Sequence, residues 1–129
     1  MKNKFLIDTP PPTISGSQGL HIGHIFSYTQ GDLIAKYKRF IGNDIIYPFG
    51  IDNNGIPTQK SASNKGIKGT KEIIDFSLKR GEDYKSTFKM CGITFENGQD
   101  YHTYNNLSLD ICYQAFEILK KKGIAYKAN

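Results

Sequence analysis

Three consecutive prolines, Pro10-Pro11-Pro12, separate a short apolar run, Lys4-Phe5-Leu6-Ile7-Asp8, from a segment opening at His21 in which Ile22, Ile25, Phe26, Leu33, Ile34, Tyr37 and Phe40 recur at three- and four-residue steps. Proline has no N–H for a sheet ladder and breaks a helix interior. The run therefore ends one element and delays the next, and the spacing predicts strand, loop, helix. Further on, Asp44-Ile45-Ile46-Tyr47-Pro48-Phe49-Gly50 is β-rich and apolar, and stops at Pro48 and Gly50 as a buried parallel strand would. Two parallel strands joined by a helix make a right-handed crossover. The expected class is α/β, with ligands beyond the carboxyl ends of the strands. Pro11, Pro12, Thr13, His21, His24, Gly50 and Asp52 then fall around one crevice.

His21-Ile22-Gly23-His24 stands at the mouth of the predicted helix. Residues three apart share a helix side, so both imidazoles point at what lies above the helix start. Gly23 between them leaves room for close approach. Unpaired N–H groups and the positive dipole end make a phosphate the natural guest there, and an imidazole can donate to a phosphoryl oxygen. The competing reading is that the two histidines are surface or capping residues. Asp52 has two readings as well: an ionised carboxylate that pairs with an α-ammonium group, or part of an ordinary turn or N-cap, Asp52-Asn53-Asn54-Gly55.

The runs Pro10-Pro11-Pro12-Thr13-Ile14-Ser15-Gly16-Ser17, Leu20-His21-Ile22-Gly23-His24-Ile25-Phe26-Ser27-Tyr28-Thr29-Gln30 and Tyr47-Pro48-Phe49-Gly50-Ile51-Asp52-Asn53-Asn54-Gly55-Ile56-Pro57-Thr58-Gln59 together resemble the amino-terminal signature of class I aminoacyl-tRNA synthetases. The triple proline ending in Gly-Ser is most similar to the valine-reading members. One departure is the pair Gln18-Gly19, where the family pattern runs almost directly from Gly-Ser into the leucine before the first histidine. The resemblance implies a Rossmann-like nucleotide-binding half-domain with parallel strands and crossover helices. It implies adenylate formation from ATP, with Mg²⁺ as the nucleotide's counter-ion, and a small amino acid, valine. His21 and His24 would be the catalytic groups. ATP would meet Thr13, Ser15, Gly16, His21, Gly23 and His24, and the amino acid Pro11, Pro12, Thr13, Gly50 and Asp52. Gln59 is a weaker match that fits the start of the next helix equally well.

The family's members are several times longer than these 129 residues. Residues 1–129 correspond to the amino-terminal part of the catalytic domain. A Lys-Met-Ser-Lys-Ser-like loop, an editing insertion and anticodon-binding helices are not found in this sequence. Two alternatives stay open: a catalytically silent remnant or split module that pairs with a complementing chain, and a small-substrate nucleotidyltransferase, a class that shares the His-x-Gly-His helix start.

The net charge of +5 fits contact with a polyanion such as tRNA and equally fits solvated lysine faces. Cys91 and Cys112 form no CxxC pair, so neither zinc nor a disulfide framework is indicated, and both read as buried small hydrophobes in a reducing cytoplasm. No leader-like or membrane-spanning run occurs in the sequence. Lys71 to Met90 is expected as two helical pieces or one kinked helix, with Gly81 interrupting. In Asn105 to Lys122, the residues Leu107, Leu109, Ile111, Cys112, Ala115, Phe116, Ile118 and Leu119 are expected to face a core, with Lys120-Lys121-Lys122 suiting the negative helix end. Ile124-Ala125-Tyr126 reads as a third strand. The aromatics read mostly as core, with Tyr101-His102-Thr103-Tyr104 the one exposed-looking cluster.

Overall fold

The computed structural model describes residues 3–14, 19–96, 98 and 100–128. In chain order the elements are β1 (Lys4–Leu6), α1 (Ile22–Phe40), β2 (Asp44–Ile46), β3 (Gly50–Ile51), α2 (Ile56–Ser63), α3 (Thr70–Met90), β4 (Tyr101–His102) and α4 (Asn106–Lys121). All pairing is parallel: Phe5 lies opposite Ile45 in β1–β2, and Ile51 opposite His102 in β3–β4.

Backbone bonds between the named strands make the segment from 44 to 52 the centre of the fold. Ile46 accepts from Ile7 and Asp52 from Ile14 on one side, while Tyr47, Phe49 and Ile51 accept from Glu96, Tyr101 and Thr103 on the other. Alternate carbonyls of an extended chain point to opposite edges. The central run thus carries the amino-terminal segment on one edge and residues 96–103 on the other. This is the expected crossover, with α1 connecting the first pair.

Two apolar clusters hold the layers together. Ile14, Tyr28, Phe49, Ile51, Tyr84, Phe88 and Ile93 form the larger, and Ile7, Ala35, Ile45 and Tyr47 the smaller. Phe95 packs against both. Its ring lies 4.8 Å from Phe49 and 5.1 Å from Tyr47, within the range of favourable aromatic pairs. Asp32, buried in α1, accepts from the backbone N–H and hydroxyl of Thr94 at 3.0 Å and from Lys36 Nζ at 2.6 Å. A buried carboxylate is tolerated only when satisfied in this way, and here it locks α1 to the chain that follows α3.

Several expectations are corrected. α3 is one continuous helix. Gly81 does not interrupt it but lets it approach β3, because a Cβ there would sit 3.1 Å from Ile51 Cγ1. No residue of α4 is buried, and Leu107, Leu109, Ile111, Phe116, Ile118 and Leu119 are all exposed. Its amphipathic pattern is real, but nothing described covers the apolar face. Cys91 and Cys112 are exposed and unpaired rather than buried. Ile124 to Tyr126 forms no strand: Gly123 turns at φ +70° and the Ile124 N–H returns to the Leu119 carbonyl, a glycine-closed helix end. The third segment of the parallel layer is instead β4, before α4.

Candidate active site

His21 is the N-cap of α1. Its Nδ1 accepts from Gly23 N at 3.1 Å, and His24 Nδ1 accepts from His21 N at 3.2 Å. This is a capping box built from two imidazoles: the capping reading holds, and it engages only the Nδ1 atoms. The cap has a chemical consequence. An Nδ1 that accepts carries no proton, so each neutral ring keeps its proton on Nε2 and retains one free donor. A Cβ at position 23 would lie 3.0 Å from His21 Nδ1, so glycine is what lets the ring fold back over the helix start.

The ring centroids are 3.9 Å apart. Partial burial and the neighbouring His21 ring both hold the His24 titration below its ordinary value of 6.5. The unfolded chain then binds the proton more readily than the fold does, so this contribution to stability is complete above about pH 6.5 and is lost as pH falls through the folded value. Hydrogen-exchange protection at the His21 amide, which the His24 ring caps, is expected to fall on acidification below pH 6.5, while mid-helix amides such as Ala35 keep theirs. Unchanged protection at pH 5 would show that the His24 ring does not cap as a neutral acceptor.

Pro10, Pro11, Pro12, Thr13, Gly19, His21, Gly23, His24, Ser27 and Tyr28 surround one cavity of about 490 Å³. The proline loop is fixed from two directions. Tyr28 is buried, and its hydroxyl donates to the Pro10 carbonyl at 2.7 Å. Burial pushes the Tyr28 phenol well above its usual value of 10.0, which keeps that donor protonated. On the other side, Thr13 and Asp52 form a parallel bridge, with Ile14 N to Asp52 O at 3.0 Å and Asp52 N to Pro12 O at 3.1 Å.

Asp52 joins this assembly through a side chain as well: Thr13 Oγ1 donates to its Oδ2 at 2.9 Å and Thr103 Oγ1 to its Oδ1 at 3.2 Å. It does not itself line the cavity, but it is one hydroxyl removed from the wall. Gly50 is buried in β3 and faces the Tyr101 ring, where a Cβ would come 2.2 Å from Cζ. Its role on this geometry is to admit Tyr101. Ser15 and Gly16 lie outside the described residues. Gln59 belongs to α2 and lines a separate cavity of about 240 Å³ with Asn53, Asn54 and Tyr104. Among the described residues, no group of three or more His, Cys, Asp or Glu could hold a metal ion.

Tyr28 is absent from the candidates read in the sequence, and Thr103 enters there only as part of the exposed-looking cluster Tyr101-His102-Thr103-Tyr104, all four of which are half-buried. Tyr28 had a signal: with Gly31, Asp32 and Ala35 it marks the buried stripe of α1, at steps of three and four. The link from Thr103 to Asp52 had no signal, because the two are 51 positions apart.

The family model for class I tRNA synthetases (I, L, M and V) matches residues 1–129. Similar curated proteins include the valine--tRNA ligase of Wolbachia pipientis wMel, 40% identical over 134 residues that cover 97% of this chain and 15% of the relative. The valine--tRNA ligase of Rickettsia prowazekii (strain Madrid E) is 37% identical over 139 residues, covering 97% of this chain and 16% of the relative. A solved ternary complex of Agrobacterium radiobacter K84 agnB2 LeuRS with tRNA and LeuAMS superposes with a TM-score of 0.77 at 25% identity, over 97% of this chain and 15% of that one. The chain thus spans about 15–16% of the length of the curated relatives it matches. With parallel strands, a crossover helix and paired imidazoles at that helix's start, the chain belongs to the class I tRNA synthetases, and within them is similar to the amino-terminal part of valine--tRNA ligases.

Proposed function

We propose that residues 1–129 supply the adenylate-forming wall of a valine-type synthetase: they bind ATP and a small amino acid and promote attack of the amino-acid carboxylate on the α-phosphorus, with pyrophosphate leaving. The observation that carries this reading is the cavity that both imidazoles share with the proline loop. His21 and His24 would each direct an Nε2–H at phosphoryl oxygens as charge gathers on the pentacovalent phosphorus. Pro11, Pro12 and Thr13 bound the adenosine and amino-acid pockets, with Ser15, Gly16 and Gly23 completing the ATP side. Asp52 holds the α-ammonium, a charge-assisted contact that orients the carboxylate for in-line attack. Mg²⁺ accompanies the nucleotide, and tRNA is the acceptor for a complete enzyme. The exposed, unpaired cysteines suit a reducing cytoplasm, and no helix among the described residues is long and apolar enough to cross a membrane.

A second reading rests on α4. A helix with six large apolar residues exposed on its surface is an interaction face, which favours a module that acts with a complementing chain. Calorimetry separates the possibilities. Saturable binding of ATP and valine, with valine-dependent ATP–pyrophosphate exchange by the chain alone, supports a self-sufficient adenylation site. Binding without exchange, with exchange appearing when the rest of a valine-type catalytic domain is added, supports the split module. Absence of ATP binding in both arms would overturn the reading. Nucleotidyl transfer to a substrate that is not an amino acid would replace it.

A further inference from the structure

We infer that Thr103 is a positioning residue for the Asp52 carboxylate, and hence for the ammonium group of the amino acid. The inference rests on the adenylation reading above. It is carried by the hydrogen bonds around the two Asp52 oxygens, which come from the two chain segments flanking the run 44–52.

Thr13, on the proline loop, reaches Oδ2 at 2.9 Å, and Thr103, just after β4, reaches Oδ1 at 3.2 Å. The Thr103 hydroxyl has a single proton, and its environment directs it. The backbone N–H of Asn53 donates to Thr103 Oγ1 at 3.1 Å, occupying a lone pair. Of the two acceptors within reach, Asp52 Oδ1, a carboxylate oxygen, is nearer at 3.2 Å, and Asn53 Oδ1, an amide oxygen, is farther at 3.4 Å. A charge-assisted bond to the carboxylate is the stronger choice. The residue carrying the hydroxyl is itself held at both main-chain groups: Thr103 N donates to Ile51 O at 3.1 Å, and Asn54 Nδ2 donates to Thr103 O at 3.1 Å.

Two donors on different oxygens fix the rotation of the carboxylate plane, which one donor leaves open. Among the described residues no lysine, arginine or histidine forms an ion pair with Asp52. An ionised carboxylate offers about four lone-pair sites; the two threonines leave the others for a cation. An ammonium ion, with three donors, matches that vacancy in charge and in hydrogen-bond sense.

The test uses the 129-residue chain and two probes that differ at one group. These are L-valine and 2-hydroxy-3-methylbutanoate, in which a hydroxyl replaces the ammonium. Affinities are read by calorimetry in the presence of a non-hydrolysable ATP analogue for the unsubstituted chain, Thr103→Val and Thr103→Ser. Thr103→Val is expected to weaken valine about tenfold, the scale of one hydrogen bond to a charged group, and to leave the hydroxy acid within about twofold. Thr103→Ser, which keeps the hydroxyl, is expected to restore valine affinity. Equal weakening of both probes, or failure of Thr103→Ser to rescue, would reduce Thr103 to a structural role and overturn the inference. Undiminished valine affinity in Thr103→Val would do so directly. An unsubstituted chain that does not bind valine, alone or with the rest of a valine-type catalytic domain added, would instead sink the adenylation reading on which the inference stands.

Discussion

His24→Ala is expected to lower valine-dependent ATP–pyrophosphate exchange by about 10²–10³-fold, the usual cost of removing one preorganised donor. The chain or assembly that shows exchange is the one to assay. Interpretation needs a control, because His24 also caps the backbone N–H of His21. His21→Asn supplies it. Asparagine is among the best N-cap residues, so this variant is expected to keep the thermal midpoint of the unsubstituted chain. It lacks the second imidazole and is still expected to lose exchange by a similar factor. Loss of exchange with α1 intact assigns the imidazoles to the chemistry. Exchange that survives in His21→Asn and falls in His24→Ala only in step with helix stability would leave them as caps.

Phe88→Ala is expected to cost about 3–5 kcal/mol, the range for emptying a buried aromatic site. Phe88 is fully buried, stacked on Tyr28 at 4.4 Å and edge-on to Phe49 and Phe95 at about 6 Å. Domains of this kind hold about 5–15 kcal/mol in total. Urea denaturation should therefore show a midpoint reduced by about a fifth or more at unchanged slope, or no cooperative transition. A loss below about 1 kcal/mol would place the ring in a site that collapses around the deletion. The effect should reach the cavity, because Tyr28 is both the ring stacked on Phe88 and the donor to Pro10. A variant that stays folded should bind ATP more weakly, although residue 88 does not line the cavity.

The strand, proline loop and first helix were legible because they are local: proline and apolar periodicity act within a few residues. The position of His21 and His24 at the helix start was legible for the same reason, and of the two readings the sequence offered, cap or ligand, the fold shows the cap and leaves each Nε2 outside it. Long-range facts were not. The two hydroxyls on Asp52 come from 39 and 51 positions away, and no spacing rule connects them. β4 was missed because Tyr101-His102 is a two-residue strand, too short for any alternation. The α4 error is of another kind. Amphipathicity shows which side of a helix is apolar but not whether anything lies against it. Gly81 was misread because helix propensity penalises glycine, whereas here the missing side chain is what brings α3 onto β3.

That unpacked fourth helix gives the chain two thermodynamic regimes. Its sixteen residues draw support from within: the Asn105 side chain holds the Ser108 N–H, and Lys120 and Lys121 sit at the negative end. A segment of that length is marginal in water when it relies on such terms. Melting of 106–121 should accordingly precede collapse of the cavity. A far-ultraviolet signal of helix content and a nucleotide-binding signal would then decline at separate temperatures, and the ligand's arrival would shift only the later one.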